Sequence, residues 1–149
     1  MIVIRRAIKE DLKNVYELEK RCFKDPYPEA VLLMLYHLYP ELFFIAENTG
    51  EKKIVGYASG MVRADGFGHI ISICVGEEYR RRGIGRKLME VLESAMRVSF
   101  NVCNFRLEVR VSNESAIKLY ESLGYKIVSR LKSYYLDGED GYLMIKSTC

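Results

Sequence analysis

Apolar residues recur along this chain at two different spacings, and each spacing predicts a different backbone. After Gly83 they recur every three or four residues, which predicts an amphipathic helix with one buried stripe. We expect the stripe to consist of Ile84, Leu88, Val91, Leu92, Ala95 and Val98. Glu93 and Arg97, four residues apart, are expected to pair on the outer side of this helix.

Strict alternation over residues 105–111 predicts a strand with one buried face, because successive side chains of a strand point to opposite sides. The buried side is expected to carry Phe105, Leu107, Val109 and Val111. Similar patterns predict strands over 2–7, 42–47, 54–63, 67–75, 125–131 and 142–146, and helices over 9–22, about 28–39 and between a cap at 112–113 and Gly124. We expect one α+β domain over residues 1–149, with a mixed, mainly antiparallel sheet and helices on both faces.

A basic stretch with two glycines joins the strand at 67–75 to the long helix. It reads Arg80-Arg81-Arg82-Gly83-Ile84-Gly85-Arg86-Lys87. Glycine lets a ligand approach the backbone closely, and a helix start offers free amides with partial positive charge. The stretch therefore predicts a diphosphate site. It lacks the Gly-Lys-Ser/Thr of a P-loop and the third glycine of a dinucleotide fingerprint. The alternatives are a basic helix start exposed to solvent and a nucleic-acid patch.

Composition narrows the function classes. The chain has 149 residues, of which 49% are hydrophobic and 29% charged, as in a globular protein. A net charge of +3 is too small for general nucleic-acid binding, and no apolar run is long enough to span a membrane. Four cysteines without C-x-x-C spacing, together with the absence of a signal peptide, predict reduced thiols in a cytoplasmic protein. We expect neither a disulfide framework nor a metal site.

Arg80-x-x-Gly83-x-Gly85 resembles the signature with which GNAT acetyltransferases bind the pyrophosphate of acetyl-CoA. Residues 107–113 and 116–125 resemble the bacterial enzymes that acetylate the N-termini of ribosomal proteins. Residues 68–72, 134–135 and 137–142, with Tyr36-His37, are similar to the catalytic subunit of the NatA complex. Such a mosaic is expected of an archaeal N-terminal acetyltransferase. The resemblance implies a GNAT fold and acetyl transfer from acetyl-CoA to the free α-amine of a protein or peptide.

The resemblance also implies a cofactor site. The main chain of Ile73, Cys74 and Val75 is expected to pair with the extended pantetheine arm, and an N–H there would polarise the thioester carbonyl. Asn113 is expected both to cap its helix and to bind acetyl-CoA. The diphosphate is expected at Arg80, Arg81, Arg82, Gly83, Ile84, Gly85 and Arg86.

Two residues are the candidates for proton transfer. Glu108 matches the position of the base in the ribosomal type, unless it only pairs with Arg106 or Arg110 on a solvated face. Tyr120 matches the acid that protonates the departing thiolate, unless it is only a core aromatic residue. An α-amine with a pKa of about 8 is already partly neutral, so that a modest base suffices.

Four residues match positions that line the peptide groove of NatA-like enzymes: Tyr27, Glu29, Tyr134 and Tyr135. The tyrosine hydroxyls are expected to hold the first peptide carbonyl groups. Glu29 acts on the incoming amine, serves as a second base, or only complements the dipole of its helix. NatA-type enzymes lack a glutamate at the position of Glu108, which leaves open whether Glu108 or Glu29 is the main base.

Other functions remain open on the sequence. The fold also suits acetylation of lysine side chains or a small amine, a regulatory module that binds acyl-CoA without turnover, or a nucleic-acid domain that uses the arginine cluster. We expect N-termini, ribosomal proteins among them, as substrates, and neither nucleic acid nor membrane as a partner. The sequence does not decide whether an auxiliary subunit joins the chain.

Overall fold

Seven strands form one sheet in the computed structural model, which describes residues 1–149. The strands are β1 (Ile2–Arg6), β2 (Phe43–Asn48), β3 (Lys53–Val62), β4 (Gly68–Val75), β5 (Asn104–Arg110), β6 (Lys126–Leu131) and β7 (Gly141–Ser147). Their spatial order is β1-β2-β3-β4-β5-β7-β6. Only β4 and β5 run parallel, and all other neighbours are antiparallel. The predicted mixed, mainly antiparallel sheet is confirmed.

Four α-helices cover the sheet: α1 (Leu12–Cys22), α2 (Glu29–Leu38), α3 (Ile84–Phe100) and α4 (Glu114–Ser122). Helices α1 and α2 pack on one face through a core that includes Val15, Leu32 and Tyr57. Helices α3 and α4 pack on the other face, where Leu88 and Tyr120 belong to a second core. None of these helices is long and apolar enough to cross a membrane. The predicted helices on both faces are confirmed.

A β-bulge interrupts the pairing of β3 with β4. Ser59 pairs with Ser72 and Gly60 pairs with Ile70, so that Ile71 is an extra residue on β4. The bulge explains why Ile70 and Ile73, three positions apart, both pack towards α3. Bulges increase local twist and bend the strand. Strand β4 pairs with β5 only at His69 and Gly68, and the two strands separate beyond that point.

The buried stripe of α3 differs from the expected one. Val98 is 83% exposed, whereas Met89 and Met96 are fully buried. At 3.6 residues per turn Val98 is rotated about 120° from Leu92, which lies at the centre of the buried face. The prediction that Val98 is buried is therefore wrong.

Glu93 lies on the inner side of α3 and not on the outer one. It is 3% exposed and accepts hydrogen bonds from the Tyr125 hydroxyl and the Lys146 ammonium, both at 2.7 Å. Its expected contact with Arg97 is present at 3.5 Å. The pairing was predicted correctly and its location was not, since i,i+4 spacing does not indicate which face is buried.

The cysteines also correct the sequence interpretation. Cys22 at the end of α1 is bonded to Cys74 of β4, and Cys103 is bonded to Cys149, with Cα separations of 6.2 and 5.1 Å. No free cysteine remains. The bonds join residues 52 and 46 positions apart. Such pairs show no short sequence motif, because only the tertiary fold brings them together.

We predict that the unreduced, unfolded protein contains no titratable thiol and that full reduction exposes all four. Cys103→Ser/Cys149→Ser should lower the free energy of unfolding by about 2–5 kcal/mol, because the bond constrains the unfolded chain. Urea unfolding measures this loss. Reductant should destabilise the wild type more than this variant, because the wild type has two bonds to lose and the variant has one. Free thiols in the unreduced wild type would contradict the pairing.

Candidate active site

A cavity of about 330 Å³ opens where β4 and β5 separate. Its walls come from the two strands, the start and middle of α4, the segment after α1 and the loop between β6 and β7. The lining residues are Cys22, Phe23, Lys24, Ile70, Ile71, Ser72, Ile73, Leu107, Glu108, Val109, Arg110, Ser112, Asn113, Ala116, Tyr120 and Tyr135. The apolar walls with a few ionisable groups are typical of a small-molecule site.

The edge of β4 that faces this cavity is free to accept another extended chain. The N–H of Gly76 donates to the carbonyl of Val55 on β3. Neighbouring residues of a strand direct their polar groups to opposite edges, so Val75 and Ile73 face away from β3. The Val75 carbonyl accepts a bond from the Arg80 side chain at 3.0 Å. Ile73 therefore presents free groups, whereas the backbone of Cys74 faces β3.

The glycine turn before α3 contains left-handed backbone. Gly83 caps α3 with φ 80°, and Arg81 also has a positive φ of 64°. A Cβ on Gly83 would meet no atom within 4 Å, so that open space lies beside the first turn of α3. Turns of this kind bring successive N–H groups together at a concave surface, which suits an anion.

Several arginine side chains of this turn contact the protein. Arg80 binds the end of β4, Arg82 lies 5.2 Å above the Tyr79 ring and Arg86 donates to the Ser122 hydroxyl at 2.6 Å. Arg81 is exposed. Backbone amides of Gly83, Ile84 and Gly85, at the start of α3, are therefore the main donors towards the open space, and the guanidinium groups shape the turn and add positive charge.

Glu108 projects from β5 into the cavity with both oxygens bound. The Nε2 atom of His69 lies 2.7 Å from one oxygen, and Arg106 donates to the other at 2.9 Å. Burial alone would raise the pKa of Glu108, but the bonds from His69 and Arg106 outweigh it and hold the pKa below its ordinary value. Glu108 does pair with Arg106, as the alternative interpretation expected, yet it lies in the cavity and not on a solvated face.

Arg110, two positions further along β5, joins the two loops that flank the cavity. It donates to Asp25 at 2.8 Å, to Asp137 at 3.0 Å and to Glu139 at 2.8 Å, and its guanidinium lies 4.2 Å from the centre of the Tyr135 ring. The role of Asp25 was missed. The only signal was an acidic residue in a loop, because its partner is 85 positions away.

Tyr120 and Asn113 of the α4 region both line the cavity. The Asn113 side chain accepts the Ala116 N–H and so caps α4. Burial raises the pKa of Tyr120, which keeps its phenol protonated. Tyr120 also packs against Tyr125 at 6.1 Å, so that it is both a core aromatic and a wall of the cavity.

The predicted groove residues are only partly assembled. Tyr135 lines the cavity and packs edge-on against Tyr134 at 5.0 Å. Tyr27 is 40% exposed, and its pKa is raised by burial and, to a smaller extent, by Tyr134. Glu29 is exposed in the first turn of α2 and does not line the cavity. Its role remains a prediction.

A buried carboxylate beneath this groove was not predicted. Glu19 of α1 is 1% exposed and accepts bonds from the Tyr57 hydroxyl, from Ser72 at 2.9 Å and from the Tyr27 N–H at 2.9 Å. Burial, reinforced by Glu19, raises the pKa of Tyr57. The network fixes the segment between α1 and α2 against β3 and β4. The structure contains no group of three or more His, Cys, Asp or Glu side chains that could hold a metal ion.

Comparison with known proteins agrees with this geometry. The acetyltransferase (GNAT) family profile matches residues 12–125. This range includes the bulged strand, the glycine turn and α4. The chain belongs to the acetyltransferase (GNAT) family.

Three relatives align with nearly the whole chain. An uncharacterised N-acetyltransferase of Methanocaldococcus jannaschii is 43% identical over 97% of this chain and 91% of its own. An N-alpha-acetyltransferase of Sulfurisphaera tokodaii is 39% identical over 95% and 90%. The catalytic subunit of the N-terminal acetyltransferase A complex of Arabidopsis thaliana is 36% identical over 99% and 78%.

Two solved structures have the same fold and similar sequences. Ard1 from Thermoplasma volcanium superposes with a TM-score of 0.92 at 30% identity, covering 99% of this chain and 98% of its own. The ribosomal-protein-S18-alanine N-acetyltransferase from Escherichia coli gives 0.83 at 31% identity, covering 99% and 94%. The chain thus resembles both types of N-terminal acetyltransferase.

Gly83→Ala should weaken binding of acetyl-CoA, because a Cβ would enter the open space beside the amides at the start of α3. Gly66→Ala is the matched control, since Gly66 has φ 89°, lies in a distant turn and would also meet no atom within 4 Å of an added Cβ. Both variants should lose about 1–2 kcal/mol of unfolding free energy from left-handed strain. Isothermal titration that finds equal affinities in the two variants would argue against this cofactor loop.

Proposed function

We propose that this acetyltransferase moves the acetyl group of acetyl-CoA to the free α-amine of a protein or peptide N-terminus by direct attack. The observation that carries the proposal is a cavity between β4 and β5 in which Glu108 and Tyr120 both lie. A free strand edge and an anion-binding helix start lie on the β4 side, and a tyrosine-rich loop lies on the β7 side. Relatives named N-alpha-acetyltransferase support the choice of acceptor.

The residues present suit acetyl-CoA. The start of α3 offers amides and positive charge to the diphosphate, and Ile73 offers main-chain groups to an extended arm. When bound, acetyl-CoA supplies an acetyl group activated as a thioester. Asn113 lies on the wall of the same cavity, which supports its expected contact with acetyl-CoA.

Glu108 is the group best placed to take the proton of the amine. Its lowered pKa keeps it a carboxylate at neutral pH. Because an α-amine has a pKa of about 8, a weak base within reach, directly or through one water, is enough. His69 does not line the cavity. It acts as a positioning residue, since its ring holds one Glu108 oxygen and leaves the carboxylate in a fixed orientation.

Tyr120 is the group that would donate a proton to the departing thiolate. Burial keeps its phenol in the protonated form. The phenol makes no hydrogen bond within the chain, so its proton is free for another partner. A thiol with a pKa near 8.5 needs such a donor only as the bond to the acetyl group breaks.

The acceptor would enter beside Tyr27, Tyr134 and Tyr135. Gly141 permits this arrangement, because a Cβ there would lie only 3.1 Å from the Tyr135 ring. A ribosomal-protein N-terminus is one candidate acceptor, on the likeness to the Escherichia coli enzyme. An auxiliary subunit is a candidate partner, since the Arabidopsis relative is named as a subunit of a complex.

The acceptor is tested by mass spectrometry of pooled peptides that begin with Ser, Ala, Thr, Met-Leu or Glu. Each has a partner with a blocked N-terminus and one internal lysine. We expect acetyl groups on the α-amines, because their lower pKa matches the weak base better than lysine at about 10.4. Acetylation confined to lysine would contradict the proposed acceptor and leave the family assignment unchanged.

Glu108→Gln should lower kcat by roughly 10²–10⁴-fold with an unchanged KM for acetyl-CoA. In the wild type kcat/KM should rise with pH through the pKa of the α-amine, because Glu108 is already ionised. His69→Ala removes a bond that lowers the Glu108 pKa, so the acid limb at which Glu108 protonates should move to higher pH. Steady-state rates measured at a series of pH values test both effects. Wild-type turnover by Glu108→Gln would exclude Glu108 as the base.

A further inference from the structure

Three charged side chains line the cavity, namely Lys24, Glu108 and Arg110. Two of them already have partners. Glu108 is bound by His69 and Arg106, and Arg110 is bound by three carboxylates. Lys24 takes part in none of the 13 ion pairs of the chain. Lys24 is therefore the one charged residue of the cavity wall that makes no ion pair within the chain.

The backbone on either side of Lys24 is tied down, although the residue lies in a loop. Two positions earlier Cys22 is bonded to Cys74, and Phe23 packs against the core beneath α1. One position later Asp25 binds Arg110 at 2.8 Å. The main chain at Lys24 is thus held in place, while its side chain is exposed at the mouth of the cavity.

The charge that meets Lys24 is expected to come from the acceptor and not from acetyl-CoA. The phosphates belong at the start of α3, where the free amides and basic residues lie. The acyl end and the pantetheine arm carry no charge. On the other side lies Asp137 of the β6–β7 loop, whose pKa is lowered mainly by the Glu139 N–H and by Arg110, with a smaller contribution from the charge of Lys24. This is the loop that carries Tyr134 and Tyr135.

We propose that Lys24 is a specificity-determining residue that contacts a carboxylate side chain within the first residues of the acceptor. The inference rests on the proposed N-terminal acetylation and names its preferred substrate class, which is an acidic N-terminal segment. A basic side chain at the same position is disfavoured, because it would repel the ammonium of Lys24.

The test compares three peptides with a free N-terminal Ser and with Glu, Gln or Lys as the second residue. A second set carries Glu or Gln first. In the wild type kcat/KM should be about fivefold higher for a Glu peptide than for its Gln partner, as expected for two unit charges about 4 Å apart in water. Lys24→Met should remove this preference, and Lys24→Glu should reverse the order of the Glu and Lys peptides.

Lys20→Glu is the matched control, since it changes the net charge equally from α1 and its exposed lysine pairs with Glu17. It should retain the wild-type order. The KM for acetyl-CoA should be the same in all four proteins. Acetylation of every α-amine without a charge preference would overturn the role of Lys24 and leave the proposed function intact. A KM for acetyl-CoA that rises in Lys24→Met would assign the lysine to the cofactor, and no transfer to any peptide would overturn both.

Discussion

The site depends on one extra residue in β4. With Ile71 inserted opposite β3, the strand bends and its pairing with β5 ends after His69. A continuous sheet would have placed backbone hydrogen bonds where the cavity now lies. The bulge instead leaves the edge of Ile73 unpaired, and unpaired buried main-chain groups are unfavourable unless a partner satisfies them. The main-chain groups of Ile73 are therefore available to pair with an extended ligand at that edge.

Separated strands need other contacts to hold the two halves of the sheet together. Arg110 supplies them on one side by binding Asp25 across the opening and two carboxylates of the β6–β7 loop. The buried Glu19 holds the α1–α2 segment from below. On the side of α3, Glu93 joins Tyr125 and Lys146 of the other half. Buried charges are unfavourable without partners, so each of these clusters favours the one arrangement that satisfies all of its members.

The local sequence was sufficient to predict features that depend on neighbouring residues, such as strands, helix caps and turns. Strict alternation located β5, Asn113 was recognised as the α4 cap, and the glycine spacing identified the turn before α3. The family and the α+β class followed from those segments, and both are confirmed. Contacts between distant residues were not predictable in the same way. The bond of Cys22 to Cys74 and the pairing of Asp25 with Arg110 join residues 52 and 85 positions apart, and no periodic pattern records such a distance.

The two ends of the cavity are formed by different kinds of chemical group. The proposed cofactor end consists mainly of main-chain groups, at Ile73 and at the start of α3, whose geometry is set by a bulge and a left-handed glycine. Such a site tolerates changes of side chain, and a backbone signature suffices to recognise it. The proposed acceptor end consists of side chains such as Lys24 and Tyr135, which come from separate loops. A single substitution there alters shape or charge directly. Similarity of fold therefore transfers the use of acetyl-CoA from one relative to another far more securely than the choice of acceptor.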